Sequence, residues 1–180
     1  TGNKSEMSVC YATLYGDMNG DFNPFNDLYK TQVFRLCHLR NRWKPGGALG
    51  PGGVVIPRNI IVKPPTAELR ENQKDQDSLP PYDVLDDILE SLVEREMRVS
   101  EIVACGHDLE TVKKVERLLY VAEYKRRQAA PGVKVTSRAF GRERRYPIVN
   151  RFRDQGEAHY EPKAAAPTGL ARTGADGFEE

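Results

Sequence analysis

The sequence is poor in cysteine. Its 180 residues include three, at Cys10, Cys37 and Cys105, and no two of them have the Cys-x-x-Cys spacing of zinc and redox sites. An odd number of widely separated thiols does not build a disulfide framework and is typical of a reducing compartment. We therefore expect a cytoplasmic protein with free thiols.

Net charge and long apolar runs are also lacking. The 27 basic and 26 acidic residues leave a formal net charge of +1, so no overall field favours nucleic acid or an anionic membrane. No apolar run approaches the ~20 residues of a membrane-spanning helix. The first residues also lack the basic and apolar regions of an export signal. We expect neither nucleic acid nor a membrane as a partner.

Hydrophobic residues are few, at 39%, and the mean hydropathy is −0.61. Part of this deficit lies in residues 155–180, where Gly, Ala, Pro and Glu prevail without periodicity. We predict that this segment is a disordered tail. Residues 1–154 are numerous enough to form one domain with a hydrophobic core.

The N-terminal part of the chain predicts two amphipathic helices joined by a loop. Asn3 is a good capping residue, and the apolar periodicity after it predicts a helix over Lys4–Tyr15. Glycines and asparagines mark residues 16–26 as a loop. A second helix is predicted over Tyr29–Arg42, opened by Asp27.

The middle of the chain predicts little regular structure. Val54–Val62 is predicted to contribute a short edge strand, because Pro57 is unfavourable in a central one. Residues 63–81 form a polar, proline-bounded stretch with no hydrophobic face. Such a segment is either disordered or a lid that closes over a ligand.

The apolar periodicity from residue 83 onward predicts a packed helical unit over residues 83–128. Its first helix is predicted over Asp83–Met97. A short helix capped by Ser100 and ending near Gly106 follows, and a third helix begins at Asp108.

The two helix starts near the N-terminus suit a magnesium–nucleotide site. Glu6 lies in the first turn of the first predicted helix, and Lys30 in the first turn of the second. Carboxylates hold magnesium, and a lysine binds phosphate. The same residues also suit an ordinary helix–loop–helix with solvated ends, and spacing alone favours that second interpretation.

Five motifs occur here in the same order as in NAD synthetases, so the sequence resembles that family. The motifs are Thr1-Gly-Asn-Lys-Ser-Glu6, Tyr15-Gly-Asp17, Asp27-Leu-Tyr-Lys-Thr-Gln32, Lys63-Pro-Pro-Thr-Ala-Glu-Leu69 and Ala122-Glu-Tyr-Lys-Arg-Arg-Gln128. The arginine-rich stretch 138–153 resembles the glutamine-dependent bacterial branch. The resemblance covers residues 1–154.

The resemblance implies an α/β fold. The chain would form the mainly helical C-terminal portion of an adenine-nucleotide alpha-hydrolase-like domain, which is Rossmann-like and built on a parallel sheet. Residues 63–81 would be the mobile loop that closes on ATP, and residues 129–154 would be a C-terminal arm packed on the synthetase body.

The reaction implied by the resemblance is the ATP-dependent amidation of deamido-NAD to NAD by a ligase. The nicotinate carboxylate attacks the α-phosphorus of ATP, giving an adenylate and pyrophosphate. Ammonia derived from glutamine then displaces AMP. ATP is a co-substrate, Mg²⁺ is the expected metal, and a homo-oligomer is the expected assembly.

The resemblance also assigns roles to individual residues. The ATP-binding residues are Thr1, Lys30 and Thr66. The residues that bind deamido-NAD are Glu6, Tyr11, Asp21 and Lys125. The remaining assignments are Asp17, which positions the amine, and the metal ligands Glu6 and Thr66.

Structural interpretations of the same residues stay open. Tyr11 also suits a core position, because an aromatic at this spacing usually packs inward. Asp17 and Asp21 also suit turns in which a side chain satisfies its own backbone. Lys125 lies at a helix C-terminus, where the helix dipole alone favours a cation.

Two parts of the family's machinery are absent from this sequence. They are the Ser-Gly-Gly-x-Asp-Ser loop that cradles pyrophosphate and the glutaminase domain with its cysteine nucleophile. We therefore expect a portion of a longer polypeptide that is inactive alone. Two other classes remain: a non-catalytic dimerisation or structural fragment of the same enzyme and, with less support, an RNA-associated module built on residues 138–153.

Overall fold

Seven helices make up the regular structure of the part of the chain that is described. The structure is a computed structural model, and it describes residues 2–16, 18–65, 75 and 78–157. The helices are α1 Lys4–Ser8, α2 Lys30–Arg42, α3 Arg58–Val62, α4 Tyr82–Val93, α5 Val99–Ala104, α6 Leu109–Val121 and α7 Glu123–Arg126.

The expected parallel sheet is not found in these residues. Phe140 and Arg144 form an isolated β-bridge, and no longer strand occurs within the described ranges. None of the helices in the described ranges has the length and apolar character needed to cross a membrane.

Helix α1 begins as predicted but ends early. The Asn3 side chain accepts a hydrogen bond from the Glu6 N–H, and the Glu6 carboxylate accepts one from the Asn3 N–H, both at 3.0 Å. This reciprocal capping fixes the start of the helix. The prediction that it runs to Tyr15 is wrong, because Cys10 adopts a left-handed conformation with φ of 70°, which ends a helix.

The start of α2 differs from the sequence prediction. Its N-cap is Tyr29 and its first residue is Lys30. Asp27 does not open the helix as expected. Asp27 is 2% exposed, and its side chain is bound to other segments, so it is not available as a cap. The helix itself ends at Arg42 as predicted.

The edge strand predicted over Val54–Val62 is wrong, because its second half is helix α3. Pro57 is the N-cap of α3, and its carbonyl accepts a hydrogen bond from the Ile60 N–H at 3.1 Å. Proline has a fixed φ and no N–H donor, so it suits a helix start better than a strand. Just before it, the N–H groups of Val55 and Ile56 donate to the Asn41 side chain.

Helices α4, α5 and α6 confirm the predicted helical unit, with corrected ends. Helix α4 ends at Val93 and not at Met97, because Glu96 adopts a positive φ of 56°. Helix α5 begins after Arg98, so Ser100 lies inside it and is not its cap. Asp108 caps α6 as predicted, with its carboxylate accepting from the Thr111 N–H at 2.9 Å.

The core lies between these three helices. Side chains at helical spacing on one face of each are nearly inaccessible to water, which makes apolar burial the main stabilising contribution here. The most deeply buried are Leu85, Ile88, Leu89 and Val93 of α4, Val99 and Ile102 of α5, and Val112, Val115 and Leu119 of α6.

A buried lysine connects the N-terminal helix to the rest of the chain. The Lys4 side chain is fully buried, and its ammonium contacts the carboxylates of Asp27 at 2.8 Å and Glu94 at 2.5 Å. It also donates to the Thr136 hydroxyl at 2.6 Å and to the Arg138 carbonyl at 2.9 Å. One cation therefore holds together α1, the segment before α2, the end of α4 and the C-terminal arm.

The arm contacts the same two carboxylates directly. The N–H groups of Val135 and Thr136 each donate to Asp27 at 2.7 Å, and the Ser137 hydroxyl donates to Glu94 at 2.5 Å. These bonds place the arm against the helical unit.

Both carboxyl groups depend on Lys4 for their charge. Burial acts to raise the pKa of Asp27 and of Glu94, but the bonds from Lys4 and from the arm hold each pKa below its usual value. A lowered pKa in the folded state means that ionisation stabilises the fold above the unfolded-state pKa. This contribution is lost as the pH falls through the folded-state pKa.

We predict that Lys4→Met lowers the free energy of unfolding at neutral pH by about 3–5 kcal/mol, because it leaves two buried carboxylates unpaired. The deficit relative to the parent chain should shrink as the pH falls below about 4, where carboxyl groups become neutral. Urea denaturation followed by circular dichroism across this pH range measures it.

The matched control is Lys134→Met, which removes an ion pair to Glu143 that is open to solvent. It should change the free energy of unfolding little. If Lys4→Met lowered the free energy of unfolding by the same amount at every pH, or if both variants lowered it equally, the pairing of Lys4 with the two buried carboxylates would be contradicted.

Candidate functional site

Two of the predicted site residues meet where α1 faces the start of α2. The Lys30 ammonium lies 2.8 Å from the Glu6 carboxylate, and each side chain is 18% exposed. The pair is thus mostly shielded but still reaches solvent. A charged pair in this position can exchange its mutual contact for contact with a ligand.

Aromatic rings flank the cation of this pair. The Lys30 ammonium lies 5.8 Å from the centre of the Phe34 ring and 5.6 Å from that of Tyr82, within the range of cation–π attraction. The Tyr82 hydroxyl donates to the Asp75 carboxylate at 2.7 Å. Burial and this neighbouring carboxylate raise the pKa of Tyr82, so its hydroxyl stays protonated and remains a donor.

Side chains from other helices hold the first turn of α2. The Lys30 N–H donates to the Ser5 hydroxyl at 2.8 Å, and the Thr31 N–H donates to the Asp86 carboxylate at 2.8 Å. The Ser5 hydroxyl in turn donates to Asp86 at 2.5 Å. Burial raises the pKa of Asp86, and the hydrogen bonds from Ser5 and Thr31 oppose that rise.

A second pair of predicted residues meets just beyond α1. The Lys125 ammonium donates to the carbonyls of Cys10 at 3.0 Å and Ala12 at 2.9 Å, which flank Tyr11. The half-buried Tyr11 ring packs against the main core, and its hydroxyl is hydrogen-bonded to that of Ser78. Lys125 therefore holds the turn that carries Tyr11.

The two pairs are linked through α1. The Tyr11 N–H donates to the Glu6 carbonyl at 3.0 Å, so the turn held by Lys125 follows directly on the helix that carries Glu6. Asp21 is exposed in the loop after α1. The predicted residues Thr1, Asp17 and Thr66 lie outside the described residues, as do residues 66–74 and 76–77 of the predicted mobile loop and residues 158–180 of the predicted tail.

A cavity of about 630 Å³ lies away from these residues, between α7 and the arm. None of the predicted site residues that are described lines it. Its cations are largely occupied: Arg126 and Arg127 pair with Glu123, and Lys134 pairs with Glu143. The chemistry of the ion pair at α1 and α2 makes that location the better candidate.

Several important residues were missed from sequence. The sequence-based predictions give no role to Lys4, Ser5 or Asp86. Arg126 is also absent from the predicted site residues, but it is 7% exposed and donates to the Leu119 carbonyl at 2.6 Å. The one local sequence feature that indicates an ion pair for Arg126 is Glu123, which lies three residues before it, a spacing typical of helical ion pairs.

Comparison with known proteins identifies the family. The sequence profile of NAD synthase matches residues 1–129. The chain belongs to the NAD synthase family. It is 60% identical over 155 residues to the glutamine-dependent NAD(+) synthetase of Rhodobacter capsulatus, 57% over 155 residues to that of Xanthomonas campestris and 51% over 154 residues to that of Thermotoga maritima.

The match covers only part of each relative. The aligned region is 86% of this chain but 28%, 27% and 26% of the three synthetases. The chain therefore spans about a quarter of the length of these curated relatives.

One solved synthetase has a similar fold in this region. A glutamine-dependent NAD(+) synthetase from Cytophaga hutchinsonii is similar with a TM-score of 0.60 at 21% identity, covering 84% of this chain and 24% of that one. This likeness is to the fold of this region, and the parallel sheet of the predicted fold class is not found in the described residues. Another, from Acinetobacter baumannii in complex with adenosine diphosphate, is 49% identical with a TM-score of 0.40, covering 83% and 24%.

We predict that Lys125→Met lowers the free energy of unfolding by about 1–3 kcal/mol, because two carbonyls in a partly buried turn lose their donor. Chemical denaturation measures this loss. Lys114→Met, at an exposed position of α6, is the control and should have little effect. An unchanged stability in Lys125→Met would mean that its contacts to the turn contribute nothing to the fold.

Proposed function

We propose that this chain forms part of the nucleotide site of a synthetase that amidates deamido-NAD to NAD, using ATP and ammonia derived from glutamine. The observation that carries the proposal is the Glu6–Lys30 ion pair, in which a carboxylate and an ammonium on facing helices lie 2.8 Å apart and remain partly open to solvent. Membership of the NAD synthase family supports it.

The chemistry explains why such a pair is useful. A carboxylate is a poor acyl donor, and its adenylation creates a stable leaving group. That step brings the anionic nicotinate carboxylate and the anionic phosphates of ATP together. The Lys30 ammonium offsets this repulsion from a preorganised position, which is the most effective kind of electrostatic stabilisation.

The residues also fit Mg²⁺. No group of three His, Cys, Asp or Glu side chains in the described ranges could hold a metal ion by itself. Magnesium often binds through one or two carboxylates together with substrate phosphates and water, and Glu6 suits that role. When bound, the ion would neutralise phosphate charge. Thr66 is the second proposed ligand, on the resemblance alone.

The remaining roles follow the same proposal. Tyr11 and Lys125 bind deamido-NAD: an ammonium has three N–H donors, and the carbonyls of Cys10 and Ala12 take two of those of Lys125. Asp21, exposed in the loop, contacts the same dinucleotide. Thr1 joins Lys30 in binding ATP, and Asp17 positions the amine.

We expect the 180-residue chain alone to form no NAD from ATP, Mg²⁺, deamido-NAD and ammonium chloride, because it has no pyrophosphate loop. A hybrid in which residues 1–155 replace the matching segment of the Rhodobacter capsulatus synthetase should form NAD. Lys30→Met in the hybrid should lower kcat/KM for ATP by about 10²-fold. Chromatographic quantification of NAD measures each rate.

Lys114→Met in the same hybrid is the control and should leave kcat/KM unchanged. A folded hybrid that forms no NAD would contradict the proposed function. NAD formation by the isolated chain would instead contradict the expectation that it depends on the absent segments.

We also propose that the enzyme is a homo-oligomer in the cytoplasm. Helix α2 has no buried residue. Leu36 and Leu39 on it are 41% and 42% exposed, and Trp43, directly after it, is 57% exposed. Apolar surface of this kind is usually covered by a protein partner. Sedimentation analysis of the complete polypeptide that contains this sequence tests it, and a monomer at all concentrations would contradict it.

The RNA-associated alternative receives no support from the comparisons.

A further inference from the structure

The N-cap residue of helix α2 does not cap the first turn with its own side chain. Tyr29, at the N-cap, makes no side-chain cap hydrogen bond. The N–H groups of the first helical turn have no partner within a helix and need acceptors from elsewhere. Two of them, on Lys30 and Thr31, find those acceptors on α1 and α4, as Ser5 and Asp86.

The Ser5 hydroxyl and the Asp86 carboxylate act as one unit. The Ser5 O–H donates to one oxygen of Asp86, and the other oxygen accepts the Thr31 N–H. The result is a closed chain of hydrogen bonds through three helices. Ser5 is fully buried and Asp86 is 5% exposed, so water does not compete for these bonds. The N-terminus of a thirteen-residue helix also favours the negative charge of Asp86.

This unit lies directly beside the Glu6–Lys30 pair. Ser5 and Glu6 are consecutive in α1, and both accept hydrogen bonds from Lys30. The Lys30 backbone N–H donates to the Ser5 hydroxyl, and the Lys30 ammonium donates to the Glu6 carboxylate. The first turn of α2 is therefore attached to α1 at two points. Such an attachment fixes both the position of the Lys30 backbone and the direction of its side chain.

We propose that Ser5 and Asp86 are positioning residues for Lys30, holding its ammonium at the place where it meets the phosphates of ATP. The proposal rests on the function proposed above. Neither residue contacts the substrate; they act through the first turn of α2. Small displacements of a group that stabilises charge are costly in an active site.

The kinetic test uses the complete polypeptide that contains this sequence, with ammonium chloride as nitrogen donor. Ser5→Ala and Asp86→Asn should each lower kcat/KM for ATP by about tenfold or more. In a Lys30→Met background the same substitutions should have almost no further effect, because their influence passes through Lys30. Losses that simply add in the double variants would overturn the proposal.

Ser8→Ala is the matched control. Ser8 is also a fully buried serine of α1, but its hydroxyl donates to the Lys4 carbonyl within the same helix. We expect it to reduce stability without changing kcat/KM for ATP. An effect on kcat/KM equal to that of Ser5→Ala would show that general loosening of α1 explains the result, and would overturn the proposal.

A second measurement does not depend on the reaction. In NMR spectra of the complete polypeptide that contains this sequence, Ser5→Ala and Asp86→Asn should accelerate amide exchange at Lys30 and Thr31 and broaden the Lys30 ammonium signal. Ser8→Ala should do neither. If Ser5→Ala does not fold, Asp86→Asn carries the test, because it keeps the side-chain shape and an oxygen for Thr31.

The two proposals fail in different ways. If the parent polypeptide forms no NAD, the proposed function fails, whatever the NMR spectra show. If it forms NAD but the substitutions leave Lys30 undisturbed in the spectra or combine additively in the kinetics, the positioning role fails and the proposed function stands.

Discussion

The fully buried ammonium of Lys4 is the interaction on which the structure depends most. A buried charge is costly unless it is paired and hydrogen-bonded, and this one has two carboxylates, a hydroxyl and a carbonyl around it. Because its partners come from distant segments, the charge is satisfied only when α1, α4 and the C-terminal arm are all in place. The burial of Lys4 thus makes the assembly of these segments cooperative.

Helix α1 concentrates this connectivity into three consecutive residues. The Lys4 ammonium contacts the arm and the end of α4. The Ser5 hydroxyl contacts the first turn of α2 and Asp86 of α4. The Glu6 carboxylate contacts the Lys30 ammonium. Successive residues on a helix point about 100° apart, so each can face a different neighbour. A five-residue helix would be unstable alone, and here its neighbours hold it on several sides. The proposed nucleotide site is therefore built on a helix that contacts several neighbouring segments.

The C-terminal end of α1 is held in a complementary way. The carbonyls at the end of a helix have no partner within it, and cations are favoured there. Arg126 donates to the carbonyls of Met7 and Ser8, and Lys125 to those of Cys10 and Ala12. Two consecutive cations of α7 thus donate hydrogen bonds to carbonyls at the end of α1 and in the turn that carries Tyr11, and so hold that turn in place.

Local features were predictable from the sequence, because they depend on residues close together in the chain. The caps at Asn3 and Asp108 and the apolar stripes of α4 and α6 fall in this class, as does the family, which ordered motifs identify. The ends of α1 and α4 were not predicted correctly, because Cys10 and Glu96 adopt a positive φ although neither is a glycine.

The sequence by itself determined the helical unit and which residues carry charge near the proposed site. The tertiary structure decided which charges meet: Lys4 pairs with carboxylates 23 and 90 positions away, and Ser5 with one 81 positions away. Periodicity and capping describe neighbours within a turn or two. A buried ion pair between distant segments exists only after packing has excluded water around it, so no local pattern records it.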